Sequence, residues 1–109
     1  MGLFERDPIV RVLEELTERM AAARVSLAEG DAGRALAAIL EARRTLAGPL
    51  AATAERMDGA TVVSLLGKDR ARAYADVTRL EAEARRALGE DGAAARADAR
   101  ATEIERALG

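Results

Sequence analysis

The chain has 109 residues, the usual size of one domain, which leaves no room for a catalytic domain beside a regulatory one. Nineteen acidic residues against seventeen basic ones give a net charge of −2, which argues against a dedicated nucleic-acid binder. The absence of cysteine and histidine excludes disulfides, thiolate metal sites and the commonest general base. We therefore expect no enzyme, no cofactor and no metal ion.

The first predicted hairpin covers residues 8–47. Asp7 followed by Pro8 is typical of a helix start, and Gly30-Asp31 predicts the end of this helix and the cap of the next, which stops at Gly48-Pro49. Apolar residues recur along the first helix at spacings of three and four: Ile9, Leu13, Leu16, Met20, Ala23 and Leu27. The pattern indicates two amphipathic helices joined by a short turn.

The segment 48–67 is predicted to be a short helical insert. Its first part suits a short helix that Asp58-Gly59 ends. The apolar run from Thr61 to Leu66 has the propensity of a strand, but a lone strand would find no partner anywhere in the chain. We therefore expect a short helix or helical turn in this run.

A second hairpin is predicted over residues 69–108. Apolar residues again step by four and three from Asp69 until Gly89 and Gly92 interrupt the pattern, and a last helix with a weak apolar stripe follows. The fold class expected is therefore all-α: a small antiparallel bundle of two helix hairpins with short helices between them, forming a single helical domain over 1–109.

The two hairpins match each other at an offset of 59 residues. This offset superposes a turn glycine and three alanines: Gly30 on Gly89, Ala23 on Ala82, Ala35 on Ala94, and Ala42 on Ala101. Small residues at such points let two helices approach closely. The correspondence predicts a helix-turn-helix repeat.

The stretch from Gly30 to Ala42 is similar to the second helix of a tetratricopeptide repeat. It has a Gly-Asp turn, two small residues seven apart and a bulky residue, Ile39, between them. The resemblance extends over 16–49 and less well over 77–107, where Asp98 replaces the bulky residue. It implies a protein-interaction module; the alternative is an irregular helical bundle.

The bulky apolar residues supply a candidate interaction surface. Alanine makes up roughly a quarter of the chain, so the predicted core is thin and long side chains need further cover. We expect a homodimer in which such residues cover one another across a two-fold axis, the candidates being Leu13, Leu16, Met20, Val62, Leu65, Leu66 and Tyr74. The alternative for the group between Val62 and Tyr74 is an ordinary core.

Charged clusters receive two interpretations. Glu14, Glu15 and Glu18 indicate a solvated helix face. The arginine clusters are flanked by acidic residues that neutralise them locally. An acidic peptide or a phosphate could bind to them if the clusters converge in space. The clusters are Arg43-Arg44, Arg70 with Arg72, and Arg85-Arg86.

These patterns predict a non-enzymatic helical module that binds an unidentified protein partner and self-associates. The alternative is a purely structural homo-oligomeric bundle. The net charge argues against a nucleic acid as a partner. A membrane is not expected either, since no apolar stretch approaches the length of a membrane span, and no export signal is present. We expect a cytoplasmic protein, and the excess of arginine and alanine is typical of a GC-rich bacterial genome.

Overall fold

The computed structural model of the chain describes residues 8–109. This part of the chain is helical, with one 3-10 turn at Gly48–Leu50 and no strand. The helices are α1 Pro8–Ala28, α2 Ala32–Ala47, α3 Ala51–Arg56, α4 Gly59–Leu66, α5 Lys68–Ala87 and α6 Asp91–Leu108. The prediction of an all-α bundle is confirmed. The predicted cap at Asp7 lies outside the described residues.

The two hairpin turns have the same backbone structure. Gly30 and Gly89 have φ angles of 83° and 78°. After the first, the Asp31 N–H donates to the Ser26 carbonyl at 2.8 Å, and after the second the Glu90 N–H makes the equivalent bond at 2.8 Å to the Arg85 carbonyl. Both turns end a helix in the way that favours glycine, because other side chains are strained at positive φ.

The segment between the hairpins forms α3 and α4, so the strand alternative for Thr61 to Leu66 is not realised. Asp58 caps α4 by accepting a hydrogen bond of 2.8 Å from the Thr61 N–H, and hydrogen bonding from Thr61 lowers the pKa of the Asp58 carboxyl. The next residue, Gly59, lies against α6, and its N–H donates to Glu103 Oε2 at 2.7 Å. The start of α4 is thus fixed both by its own cap and by a side chain of α6.

A main apolar core joins the helices, with α5 at its centre, and a small second cluster of Ala82, Ala94 and Ala97 lies between α5 and α6. This helix packs against α1, α2, α4 and α6. Thirteen of the 23 buried hydrophobic residues are alanine, so helices approach closely and the larger core side chains are few. The prediction of a thin core is confirmed.

The outer face of the second hairpin carries ion pairs where the first hairpin has core residues. Arg79 donates to Asp98 Oδ1 at 3.2 Å and to Glu105 Oε2 at 3.2 Å, and Arg86 also bonds Asp98. Arg79 holds the pKa of the Glu105 carboxyl below its usual value. At the offset of 59, the equivalents of Arg79, Asp98 and Glu105 are three buried residues: Met20, Ile39 and Leu46.

Candidate functional site

The chain itself covers most of the apolar residues that were expected to form an interaction surface. Five of the seven are at most 8% exposed: Leu16, Met20, Val62, Leu66 and Tyr74. Leu13 and Leu65 are half-buried. The expectation of uncovered side chains neglected the close approach that alanines permit, which brings backbone and neighbouring side chains over the longer residues. Within the described chain the five buried residues belong to the core, and Leu13 packs against it.

The large apolar side chains that do remain exposed lie elsewhere. Ile9 and Val10 are adjacent in the first turn of α1, with 43% and 46% of their surface accessible. Val25 and Leu88 are exposed near the ends of α1 and α5. Scattered exposed apolar residues are common, but two neighbours on one helical turn make a small apolar patch.

A cleft with a volume of about 380 Å³ lies between α2, α3, α5 and α6. Four arginines and two glutamates supply its charged groups, and two alanines on α6 leave space on one wall. The lining consists of Arg43, Glu55, Tyr74, Thr78, Glu81, Arg85, Ala93, Arg96, Ala97 and Arg100. Two of the predicted arginine clusters, those at residues 43 and 85, therefore converge in space.

Glu81 links those two arginines. Its side chain is only 9% exposed, and its carboxylate accepts from Arg43 Nη1 and, at 2.7 Å, from Arg85 Nε. Arg85 also donates to Glu90 at 2.9 Å, and these carboxylates raise the pKa of its guanidinium. A buried carboxylate shared by two guanidiniums restricts both to a narrow range of positions.

Arg43 is also held by α5. Its Nη1 donates to Thr78 Oγ1 at 3.3 Å, and its guanidinium lies 5.6 Å from the centre of the Tyr74 ring, within the range of a cation–π contact. Thr78 in turn donates to the Tyr74 carbonyl at 2.8 Å. Burial raises the pKa of the Tyr74 hydroxyl, although Arg43 opposes this effect. The phenol is therefore a neutral donor at ordinary pH.

The two arginines of α6 differ in how they are held. Arg100 bridges to α3 by donating to the Ala54 carbonyl at 2.7 Å, and it also donates to Glu103 at 3.2 Å. Arg96, one helical turn earlier, is exposed and has no ion pair with any residue of 8–109. The cleft thus combines three fixed guanidiniums with one that is free to move.

Sequence reasoning missed Arg96 and Arg100. A signal does exist, because Ala93, Arg96, Ala97 and Arg100 recur at spacings of three and four and so share one helix face. That spacing alone could not show that the face lies opposite Arg43 and Arg85. The cleft is rich in hydrogen-bond donors, and residues 8–109 contain no group of three or more metal-binding side chains.

A second groove lies between α1 and α5. It includes a cavity of about 230 Å³ beside Met20 and Leu80 and a more open one of about 480 Å³ beside Leu27. Arg24 and Glu83 line both, so charges of both signs border it. No single sign of charge or ligand shape is favoured there.

No helix within residues 8–109 has the length and apolar character needed to cross a membrane. No protein-family model, curated protein or solved structure matches the chain.

Proposed function

We propose that this protein is a non-enzymatic, tetratricopeptide-like helical module for protein–protein interaction, and that an acidic segment of a protein partner binds in the arginine-lined cleft. The observation that carries this proposal is the convergence of four arginines from α2, α5 and α6 on one cleft. Arginine is suited to this role because its planar donors match carboxylate oxygens.

The ion pairs around the cleft support binding rather than catalysis. Arg43, Arg85 and Arg100 are fixed by partners in the protein, so a ligand would not have to order these long side chains. Preorganisation of this kind reduces the entropic cost of association. The lining has no histidine, cysteine or serine, its Thr78 hydroxyl donates to the Tyr74 carbonyl, and its Glu81 carboxylate is held by two arginines.

Peptide binding tests the proposal directly. The reporter is intrinsic: Tyr74 is the only tyrosine, the chain has no tryptophan, and the ring lines the cleft. A capped peptide rich in glutamate should change tyrosine fluorescence saturably, and calorimetry should give the same affinity. A matched peptide with glutamine in place of glutamate should bind at least about tenfold more weakly, because its charge-assisted bonds are lost.

Two arginine variants distinguish binding in the cleft from nonspecific electrostatic attraction of the peptide to arginines elsewhere on the surface. Arg96→Gln removes a cleft charge that no protein group requires, whereas Arg106→Gln removes an exposed charge on α6 outside the cleft. Arg96→Gln should weaken glutamate-peptide binding by severalfold and Arg106→Gln should leave it unchanged. Equal losses in both variants would refute binding in this cleft, and absence of binding of every acidic peptide by the wild type would refute the proposal.

A second candidate function, structural self-association, is favoured by the exposed pair Ile9 and Val10. A symmetric contact between two copies of α1 would cover this patch on both. Sedimentation equilibrium at tens of micromolar should then give a dimer that Ile9→Glu dissociates. Val25→Glu, at another exposed apolar position of α1, is the control and should leave the dimer intact. A monomeric wild type would exclude this candidate.

A further inference from the structure

The cleft presents more hydrogen-bond donors than the protein itself uses. Arg43 engages Thr78 and Glu81 through Nη1 alone, so its Nε and Nη2 donate to no group within residues 8–109. Arg85 uses Nε and Nη1, which leaves Nη2. Since no enclosed side-chain polar atom in the described chain lacks a partner, these unused donors reach solvent, and both arginines line the cleft.

The Tyr74 hydroxyl and Arg96 add to this set. The hydroxyl forms no hydrogen bond with the described residues and is not an enclosed unsatisfied atom, so it reaches solvent, and Tyr74 lines the cleft. Arg96 contributes a complete guanidinium. Against these donors the lining offers one carboxylate that no arginine engages, Glu55, because Glu81 is occupied by two arginines.

The direction from which the donors come distinguishes between anions. Arg43 belongs to α2, Arg85 to α5 and Arg96 to α6, so the guanidiniums approach the cleft from three helices. A carboxylate has two oxygens in one plane and a single charge, so although Glu81 accepts from two guanidiniums, a carboxylate offers fewer acceptor directions than a tetrahedral group. A phosphoryl group has three terminal oxygens arranged tetrahedrally and a charge near −2 at neutral pH.

The acidic residues outside the lining do not remove this preference. Glu90 and Glu103 pair with Arg85 and Arg100, but 46% and 47% of their side-chain surfaces are exposed. Water and salt screen such charges more than those inside a cleft. The lining itself has four arginines against two glutamates, and this surplus of positive groups favours a dianion over a monoanion.

We propose that the cleft binds a phosphoryl group carried by a side chain of the partner segment. The fixed guanidiniums of Arg43 and Arg85 donate to its oxygens, and the guanidinium of Arg96, which has no ion pair within residues 8–109, moves to donate to it as well. This inference rests on the proposed function and narrows its ligand. The small side chains of Ala93 and Ala97 leave room for the group beside Tyr74. Binding forms no covalent bond and requires no cofactor.

Three capped pentapeptides test the inference on the full chain. Each has one central residue between glycines: phosphoserine, glutamate or serine. Affinity is measured by calorimetry and by Tyr74 fluorescence, with inorganic phosphate as a competitor. The phosphoserine peptide should bind about tenfold or more tightly than the glutamate peptide, because it forms additional charge-assisted bonds. Inorganic phosphate should displace it.

Further measurements locate the site. Arg96→Gln should reduce phosphoserine-peptide affinity by about tenfold and Arg106→Gln should not change it. Lowering the pH below about 6 should weaken the phosphoserine peptide, whose second proton binds there, and spare the glutamate peptide. The pH dependence reports the charge of the bound phosphoryl group, and a loss in Arg96→Gln that is absent from Arg106→Gln places that group at the cleft.

The outcomes separate this inference from the proposed function. Equal affinity for the phosphoserine and glutamate peptides would overturn the phosphoryl site and leave an acidic-segment module in place. Failure of both peptides, and of the glutamate-rich peptide above, would overturn both proposals. Phosphoserine binding that is insensitive to Arg96→Gln would overturn the assignment to this cleft.

Discussion

The contact between α4 and α6 at Gly59 allows a stability change to be calculated from the structure. In Gly59→Ala the new Cβ would lie 2.6 Å from the carbonyl oxygen of Glu103 and 2.8 Å from its carbonyl carbon. Both are backbone atoms of α6, so a side-chain rotation cannot relieve the overlap. One helix must shift, which also disturbs the bond from the Gly59 N–H to Glu103.

Two opposing terms set the magnitude. Overpacking of this kind typically costs about 1–3 kcal/mol of unfolding free energy. Replacing a helical glycine by alanine returns about 0.4–1 kcal/mol by restricting the unfolded chain. The net loss should be about 1–2 kcal/mol. For a domain of this size, that corresponds to a fall in melting temperature of roughly 5–15 °C.

Gly33→Ala is the matched control. Gly33 also lies in the first turn of a helix, but no atom lies within 4 Å of its Cβ position, and its φ is not positive. This change should be neutral or stabilising by up to about 1 kcal/mol. Urea unfolding followed by circular dichroism measures both variants. If Gly59→Ala proves as stable as Gly33→Ala, the close approach of α4 to α6 is incorrect.

Three further predictions concern the cleft and the ions around it. Glu81→Ala should lower the free energy of unfolding by about 1–3 kcal/mol. This loss is smaller than for a fully enclosed pair, because water in the cleft can solvate Arg43 and Arg85. A loss below about 0.5 kcal/mol in urea unfolding would show that Glu81 does not hold the two arginines in place. The raised pKa of Tyr74 means that phenolate absorbance should appear at a higher pH in the folded protein than in guanidinium, where the ordinary value of 10.0 applies. The contribution of the neutral phenol to the free energy of unfolding is fully present below pH 10 and is lost as pH rises through the folded pKa. If Tyr74 titrates at the same pH in the folded and unfolded protein, its burial is contradicted. Zinc, calcium and magnesium should leave the melting temperature unchanged, since residues 8–109 hold no metal-binding cluster, and a metal-dependent rise would show a site that this structure lacks.

The helices could be predicted from the sequence because their signals are local. Apolar spacings of three and four mark the long helices, Asp31 caps α2, and the offset of 59 pairs the two turn glycines that the structure shows in one conformation. The ambiguous run from Thr61 to Leu66 was resolved by a topological argument, the lack of a partner strand. Local patterns were therefore sufficient for the long helices, and the short helix needed one argument about the chain as a whole.

Burial and the cleft depend on distances between helices, which local patterns do not contain. Leu16 and Met20 were expected to need cover from another copy, but alanine-lined contacts draw the helices together and bury them. Arg43 and Arg85 were separately interpreted as neutralised by adjacent acids. Their meeting at Glu81 depends on how α2 packs against α5, which no spacing within either helix determines.

The ion pairs on the outer face of α5 and α6 limit how copies of this protein can assemble. A hairpin from another copy, stacked there as α1 and α2 stack on α5, would have to withdraw Arg79, Asp98 and Glu105 from water. Removing ions from solvent costs several kcal/mol each unless new partners replace every bond. At the equivalent positions of the first hairpin the core already covers Met20, Ile39 and Leu46. Head-to-tail stacking of successive hairpins through this face is therefore disfavoured, and we do not expect an open-ended fibre built in this way.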